Sequence, residues 1–155
     1  MYHTSKKLVQ TVIPAAVVNN GSVTCQVIDT KGFDYLEVSI LLGATDIALT
    51  ALKLQESDAK ASATALTGGV DIAGTVFGTD ANDTGSASTL PSATDDNKIF
   101  KFEIDLRGRK EFVLPVITVG NGTTGAFVAG LAELSRGAQV PTSASDKNAA
   151  QLMRV

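Results

Sequence analysis

The sequence predicts an all-β protein, an antiparallel β-sandwich of jelly-roll-like layout, and three observations predict it. Phe100, Phe102, Ile104 and Leu106 alternate strictly with Lys101, Glu103, Asp105 and Arg107. Successive side chains of a strand point to opposite faces, so this run has one apolar and one charged face. Other short alternating runs recur between turn signals, enough for seven or eight strands. Finally, tryptophan is absent and aromatic residues make up 5% of the 155 residues, so the core is built mainly from Val, Leu, Ile and Ala. One domain of this length buries most of the surface that its unfolded chain exposes.

In chain order, residues 8–13 form the first strand, closed by Pro14. Asn19-Asn20-Gly21-Ser22 is a turn signal, because Asn-Gly tolerates positive φ. Residues 23–28 follow as a strand with Val23, Cys25 and Val27 on one face, and Asp29-Thr30-Lys31-Gly32 turns the chain. In residues 35–42, Leu36, Val38, Ile40 and Leu42 oppose Glu37 and Ser39. Leu41 interrupts the polar side and predicts a strand covered on both faces. Leu52 and Leu54 alternate with Lys53 and Gln55; residues 47–66 also fit a helix, and a strand is preferred because its neighbours are strands.

Residues 57–97 differ in kind. They are a long excursion rich in Ala, Ser, Thr, Gly and Asp, with apolar islands at Val70-Asp71-Ile72 and Thr75-Val76-Phe77. One or two short strands are expected there, and contact with a neighbouring subunit is its expected use. After the strand at 99–107, Gly108-Arg109-Lys110 turns into residues 111–119. Pro115 cannot donate to a ladder, so that strand is an edge or carries a bulge. A glycine-rich loop at 120–125 leads to the last apolar run, 126–134. Residues 1–7 and 135–155 are expected to be terminal arms, the second containing Pro141 and ending in a short helix or arm at 148–155. There is no internal repeat.

The formal net charge is −3 and the pI near 5.0, which argues against a nucleic-acid partner, since neutralising phosphates needs a basic stripe. Cys25 is the sole cysteine, so an intramolecular disulfide is impossible. No Lys, Arg or His adjoins it to lower its pKa, which makes it a small core residue. Lys6 and Lys7 precede an apolar stretch broken by Gln10, Thr11 and Pro14. Neither a signal peptide nor a membrane span is expected, and synthesis as a soluble cytoplasmic protein is.

Several motifs invite chemistry. Gly120-x-Gly122-x-x-Gly125 fits a dinucleotide fingerprint, yet the residues after it have no second strand with which to build the required sheet, so a glycine-rich β-loop is preferred. Asp83-Thr84-Gly85 matches the aspartic protease tripeptide but lacks apolar flanks, and reads as a solvated turn. Asp80, Asp83, Asp95 and Asp96 could offer oxygens to calcium, although without EF-hand spacing. His3 is the only histidine and lies near the terminus, so no in-chain Ser-His-Asp triad is expected unless the terminus folds inward. The Asn20, Asn82 and Asn121 sequons read as turns. Arg107, Arg109 and Lys110 form a basic hairpin corner, either solvated or set against an acidic partner. No catalytic residue, cofactor or metal is expected.

Two phrases carry a resemblance. Val27-Ile28-Asp29-Thr30-Lys31-Gly32-Phe33-Asp34-Tyr35-Leu36-Glu37-Val38 and Leu131-Ala132-Glu133-Leu134-Ser135-Arg136-Gly137 resemble small proteins encoded among the head genes of tailed bacteriophages. Such proteins are often capsid decoration, or cement, proteins: sandwich or jelly-roll units, frequently homotrimers, on the outside of an HK97-like shell. The resemblance implies a virion structural protein that binds the phage major capsid protein without catalysis. Other virion roles remain open, such as a head-fibre, tail or receptor-binding module. Expected contacts to capsid or neighbouring subunits are Tyr2, His3, Lys6, Lys7, Arg107, Arg109, Lys110, Arg136, Pro141, Leu152, Met153 and Arg154.

Overall fold

The computed structural model describes residues 6–136. Eleven strands follow in order: β1 (Lys7–Val12), β2 (Gly21–Ser22), β3 (Ile28–Asp29), β4 (Tyr35–Thr45), β5 (Leu49–Ser57), β6 (Lys60–Ser62), β7 (Ala65–Leu66), β8 (Val70–Asp71), β9 (Ile99–Asp105), β10 (Phe112–Val119) and β11 (Ala126–Ser135). Every pairing is antiparallel, and the described residues contain no helix.

Of the two large sheets, one has the order β1-β11-β4-β9 and the other β2-β10-β5-β8, with β3 also on β10; β6 and β7 form a separate two-stranded sheet. Their inner faces meet in a sandwich. From the first sheet come Leu36, Val38, Ile40, Leu42, Phe102, Ile104, Val128, Ala132 and Leu134. The second supplies Leu49, Leu52, Leu54, Val113, Ile117 and Val119. Within each strand these residues sit at even spacing, so strand alternation sends them to the core. The exception is Leu49, three positions before Leu52, which the register shift opposite Thr118 and Val119 returns to the inner face. Burial of aliphatic area is the main stabilising term.

The strand expected at 51–56, where a helix over 47–66 is the alternative, is found as Leu49–Ser57. Other readings need correction. Residues 23–28 are not one strand: β2 and β3 flank an isolated bridge between Val12 and Cys25, because the segment leaves the edge of β10, touches β1 of the other sheet at Cys25 and returns to β10. Leu41 is not covered; it projects from the outer face of β4. Lys7 begins β1 and Ser135 ends β11, so the ordered sheet takes residues from both expected arms.

Pro115 lies opposite Leu54. Val23 N–H donates to Ile117 O, and Thr30 N–H to Glu111 O, so odd-numbered β10 residues present their backbone away from β5. The missing donor of Pro115 therefore faces the gap between β2 and β3, where no ladder bond is lost.

The excursion is held down rather than structureless. It contributes β6, β7 and β8, buries Ile72 and Thr75, and places Phe77 edge-on to Phe100 and Phe102 at centroid distances of 5.8 and 5.4 Å. Edge-to-face aromatic pairs of this kind add about 1 kcal/mol each beyond burial.

Candidate functional site

The outer face of the β1-β11-β4-β9 sheet is divided into two zones, and the registers show how. Leu41 lies between Ala129 on β11 and Ile99 on β9. Leu131 lies beside Gln10 and Ser39, and Phe127 precedes Ala129 by one alternation on the same face. This end is apolar, with Ile99 64%, Phe127 49%, Leu41 42% and Leu131 42% exposed. Pro14, Leu41, Gly43, Ile99, Phe127 and Ala129 line a shallow groove of about 360 Å³ there. Isolated exposed aliphatic residues are ordinary, whereas adjacent ones on a flat sheet form a contact surface.

The local backbone presents Phe127. A register shift between Ala126 and Val128 opens the β11–β4 ladder at this residue. Its Cβ also lies 3.0 Å from where a Cβ on Gly43 would be, so a larger residue at 43 would have to displace Phe127 by a few tenths of an ångström. The bulge and the glycine together re-aim the side chain, a role in which bulges recur.

The other end of the same face is charged. Lys101 pairs with Glu37 at 2.9 Å and with Glu103 at 3.3 Å, Lys6 pairs with Glu133, and Arg107 pairs with Asp105. The Glu37 hydrogen bond is the main cause holding the Lys101 pKa above its ordinary value. These pairs are solvent-exposed, so they set the pattern of charge rather than supply much stability.

Of the expected contact residues that are described, Lys6, Lys7, Arg107 and Arg136 fall at one end of the first sheet, where Lys7 lies opposite Leu134 and Tyr35 opposite both Ser135 and Asp105, while Arg109 and Lys110 follow in the turn beyond β9. Lys6 belongs to the charged zone, while Lys7 opens β1. Arg107, Arg109 and Lys110 spread around the β9–β10 turn: Arg109 pairs with Glu56 at 3.5 Å, and Lys110 with Asp58 at 4.0 Å. Arg136 is exposed just beyond β11 with φ of 55°. Tyr2, His3, Pro141, Leu152, Met153 and Arg154 lie outside the described residues.

The motifs are used for folding. In the 120–125 loop, Asp46 accepts backbone N–H bonds from Thr123 and Thr124 at 2.7 Å and from Gly125 at 2.8 Å. A Cβ on Gly122 would lie 2.5 Å from the same carboxylate. The fingerprint glycines thus wrap backbone donors around an anion that the chain itself provides, and those bonds hold the Asp46 pKa below its ordinary value. Asp83-Thr84-Gly85 is an exposed turn tied by Asn82 Oδ1, which accepts from Thr84 and Ser86. In the acidic cluster, Asp80 accepts from Val76 N–H, Asp95 from Ser92 N–H and Lys98, and Asp96 from Thr45 N–H. Cys25 is buried, and desolvation pushes its thiol pKa up to about 12.

Sequence reasoning missed Phe127, Ile99 and Leu131 as contact residues. Leu41 does carry a signal, the apolar residue on an otherwise polar side, which alternation alone cannot tell from a second buried face. The same interruption recurs in residues 126–134, where the outward positions hold Phe127 and Leu131. No family model, no characterised protein and no solved structure matches this chain. Among the described residues no helix is long and apolar enough to cross a membrane.

Proposed function

We propose that this chain is a virion structural protein of the capsid-decoration type, which binds the major capsid protein on the outside of a phage head and acts by binding alone. The observation that carries the reading is the apolar zone of Leu41, Ile99, Phe127 and Leu131 on an exposed sheet face. The shell would cover this zone, leaving the charged end toward the rim of the contact.

Magnitudes indicate how such a surface works. A half-exposed Leu, Ile or Phe has on the order of 1 kcal/mol of further burial available. Four of them supply roughly 4 kcal/mol, a millimolar contact before the cost of association. One copy is therefore a weak ligand, and several joined copies engaging several capsid subunits gain affinity through effective concentration. The resemblance implies three copies per unit. A protein that binds the assembled lattice and not its separated parts stabilises the assembled state by mass action.

The test is co-sedimentation with expanded empty heads of the phage that encodes the chain. The native protein is expected to pellet with the heads, and Phe127→Asp and Leu41→Asp variants that keep the native circular dichroism are expected to stay in solution. A native protein that remains in the supernatant at micromolar concentration overturns the reading.

A further inference from the structure

We propose that the free edge of β9 is a self-association site, at which a second copy of this chain adds its own β9 antiparallel about a two-fold axis at Phe102. The inference does not rest on the capsid reading: it concerns a sheet edge that shares only Ile99 with the apolar face, and its two-chain unit stands against the three copies that the resemblance implies.

The backbone comes first. Leu42 N–H donates to Lys98 O and Leu106 N–H to Asp34 O, so even-numbered residues of β9 bond to β4. The odd-numbered residues Ile99, Lys101, Glu103 and Asp105 turn their N–H and C=O groups to the other side. β9 is the last strand of its sheet, and among the described residues no backbone partner meets it there. This leaves a straight edge about 23 Å long, at roughly 3.3 Å per residue. A groove of about 570 Å³ runs along it, between residues 99–103 and a wall that includes Val76, Phe77, Asp80, Asp83 and Ser88. Phe77, packed on Phe100 and Phe102, keeps that wall beside the edge.

Charge then selects the occupant and the register. When two copies of Ile99–Asp105 overlap fully, Phe102 faces Phe102 across the axis. Lys101 lies opposite Glu103 of the second copy, and Glu103 opposite its Lys101. The outward-facing residues Ile99, Lys101, Glu103 and Asp105 then all fall in hydrogen-bonded pairs, which closes the ladder on both strands. Sliding the axis one residue either way sets Lys101 against Lys101 or Glu103 against Glu103, so full overlap is the register that pairs opposite charges at both central positions. Like charges at 101 and 103 would guard an edge; opposite charges either side of its centre make it self-complementary. Strand pairing alone buries less than the roughly 1,000 Å² of a stable interface, so the dimer is concentration-dependent.

Sedimentation equilibrium of the full chain from 1 to 200 µM at low salt tests this. A reversible monomer–dimer equilibrium that weakens with added salt is expected. Lys101→Glu and Glu103→Lys should each raise the dimer dissociation constant about tenfold, because each sets two like-charge pairs across the axis. The double reversal Lys101→Glu with Glu103→Lys should restore it, since both pairs between positions 101 and 103 across the axis are again opposite. Glu103→Pro, which removes an outward donor that the folded monomer does not use, should abolish dimers while the circular dichroism stays native. A monomer at all concentrations, a three-chain mass, or a dimer insensitive to Glu103→Pro overturns the proposal. So does a double reversal no better than the single changes.

Discussion

Asp46 Oδ1 accepts the N–H of Gly125 at 2.8 Å, and this bond ties the start of β11 to the turn that follows β4. Its companions from Thr123 and Thr124 complete a cradle of three donors around one carboxylate. Gly125 sits at φ of 98°, and a side chain there would run into Val18 O. The arrangement therefore depends on both partners.

Asp46→Asn should destabilise the protein at neutral pH and flatten its acid limb. The native-state pKa of Asp46 lies below its ordinary value of 3.8 because the folded backbone binds the charged form. Its stabilisation is thus fully present above the ordinary carboxylate value, and is lost as pH falls below that value and through the depressed native one. Urea unfolding at neutral pH and at successive steps below 3.8 checks this. A variant whose stability loses as much as the wild type over that acid range contradicts it.

Phe77→Ala should loosen the excursion without dismantling the sandwich. The ring is half-buried and contributes two edge-to-face contacts, so a loss of about 2–3 kcal/mol is expected. Hydrogen exchange should show faster opening around β8 and the turns before β9, with β4 and β11 unchanged. Uniform acceleration across both sheets would mean that the excursion is part of the global folding unit.

The thiol of Cys25 should be inert in the native state. It is buried, and desolvation raises its pKa to about 12, so almost no thiolate exists near neutrality. Reaction with a thiol reagent should follow global unfolding and track urea concentration through the transition. Rapid labelling in buffer alone would show that the segment between β2 and β3 opens locally.

Strand alternation was legible because it is local. Residues 99–105 could face only one way once paired, and Leu52 and Leu54 resolved as a strand for the same reason. The crossing segment at 23–28 was not legible as such, since its residues alternate like a strand while its hydrogen bonds go to different sheets. Pro115 marked a missing ladder partner, but only the gap between β2 and β3 shows which side lacks one. The glycines of 120–125 predicted a glycine-rich β-loop. That Asp46, more than 70 positions away, fills it follows from the meeting of two turns.

The sequence by itself determined the all-β class, the core composition and the two-faced character of β9, because each depends on the period of a single strand. Tertiary structure decided the rest. Only the lateral order β1-β11-β4-β9 brings Leu41, Ile99, Phe127 and Leu131 onto one surface, and only the terminal place of β9 leaves its outer backbone without a partner among the described residues. Such neighbours are far apart in the chain, and strand order rather than local pattern joins them.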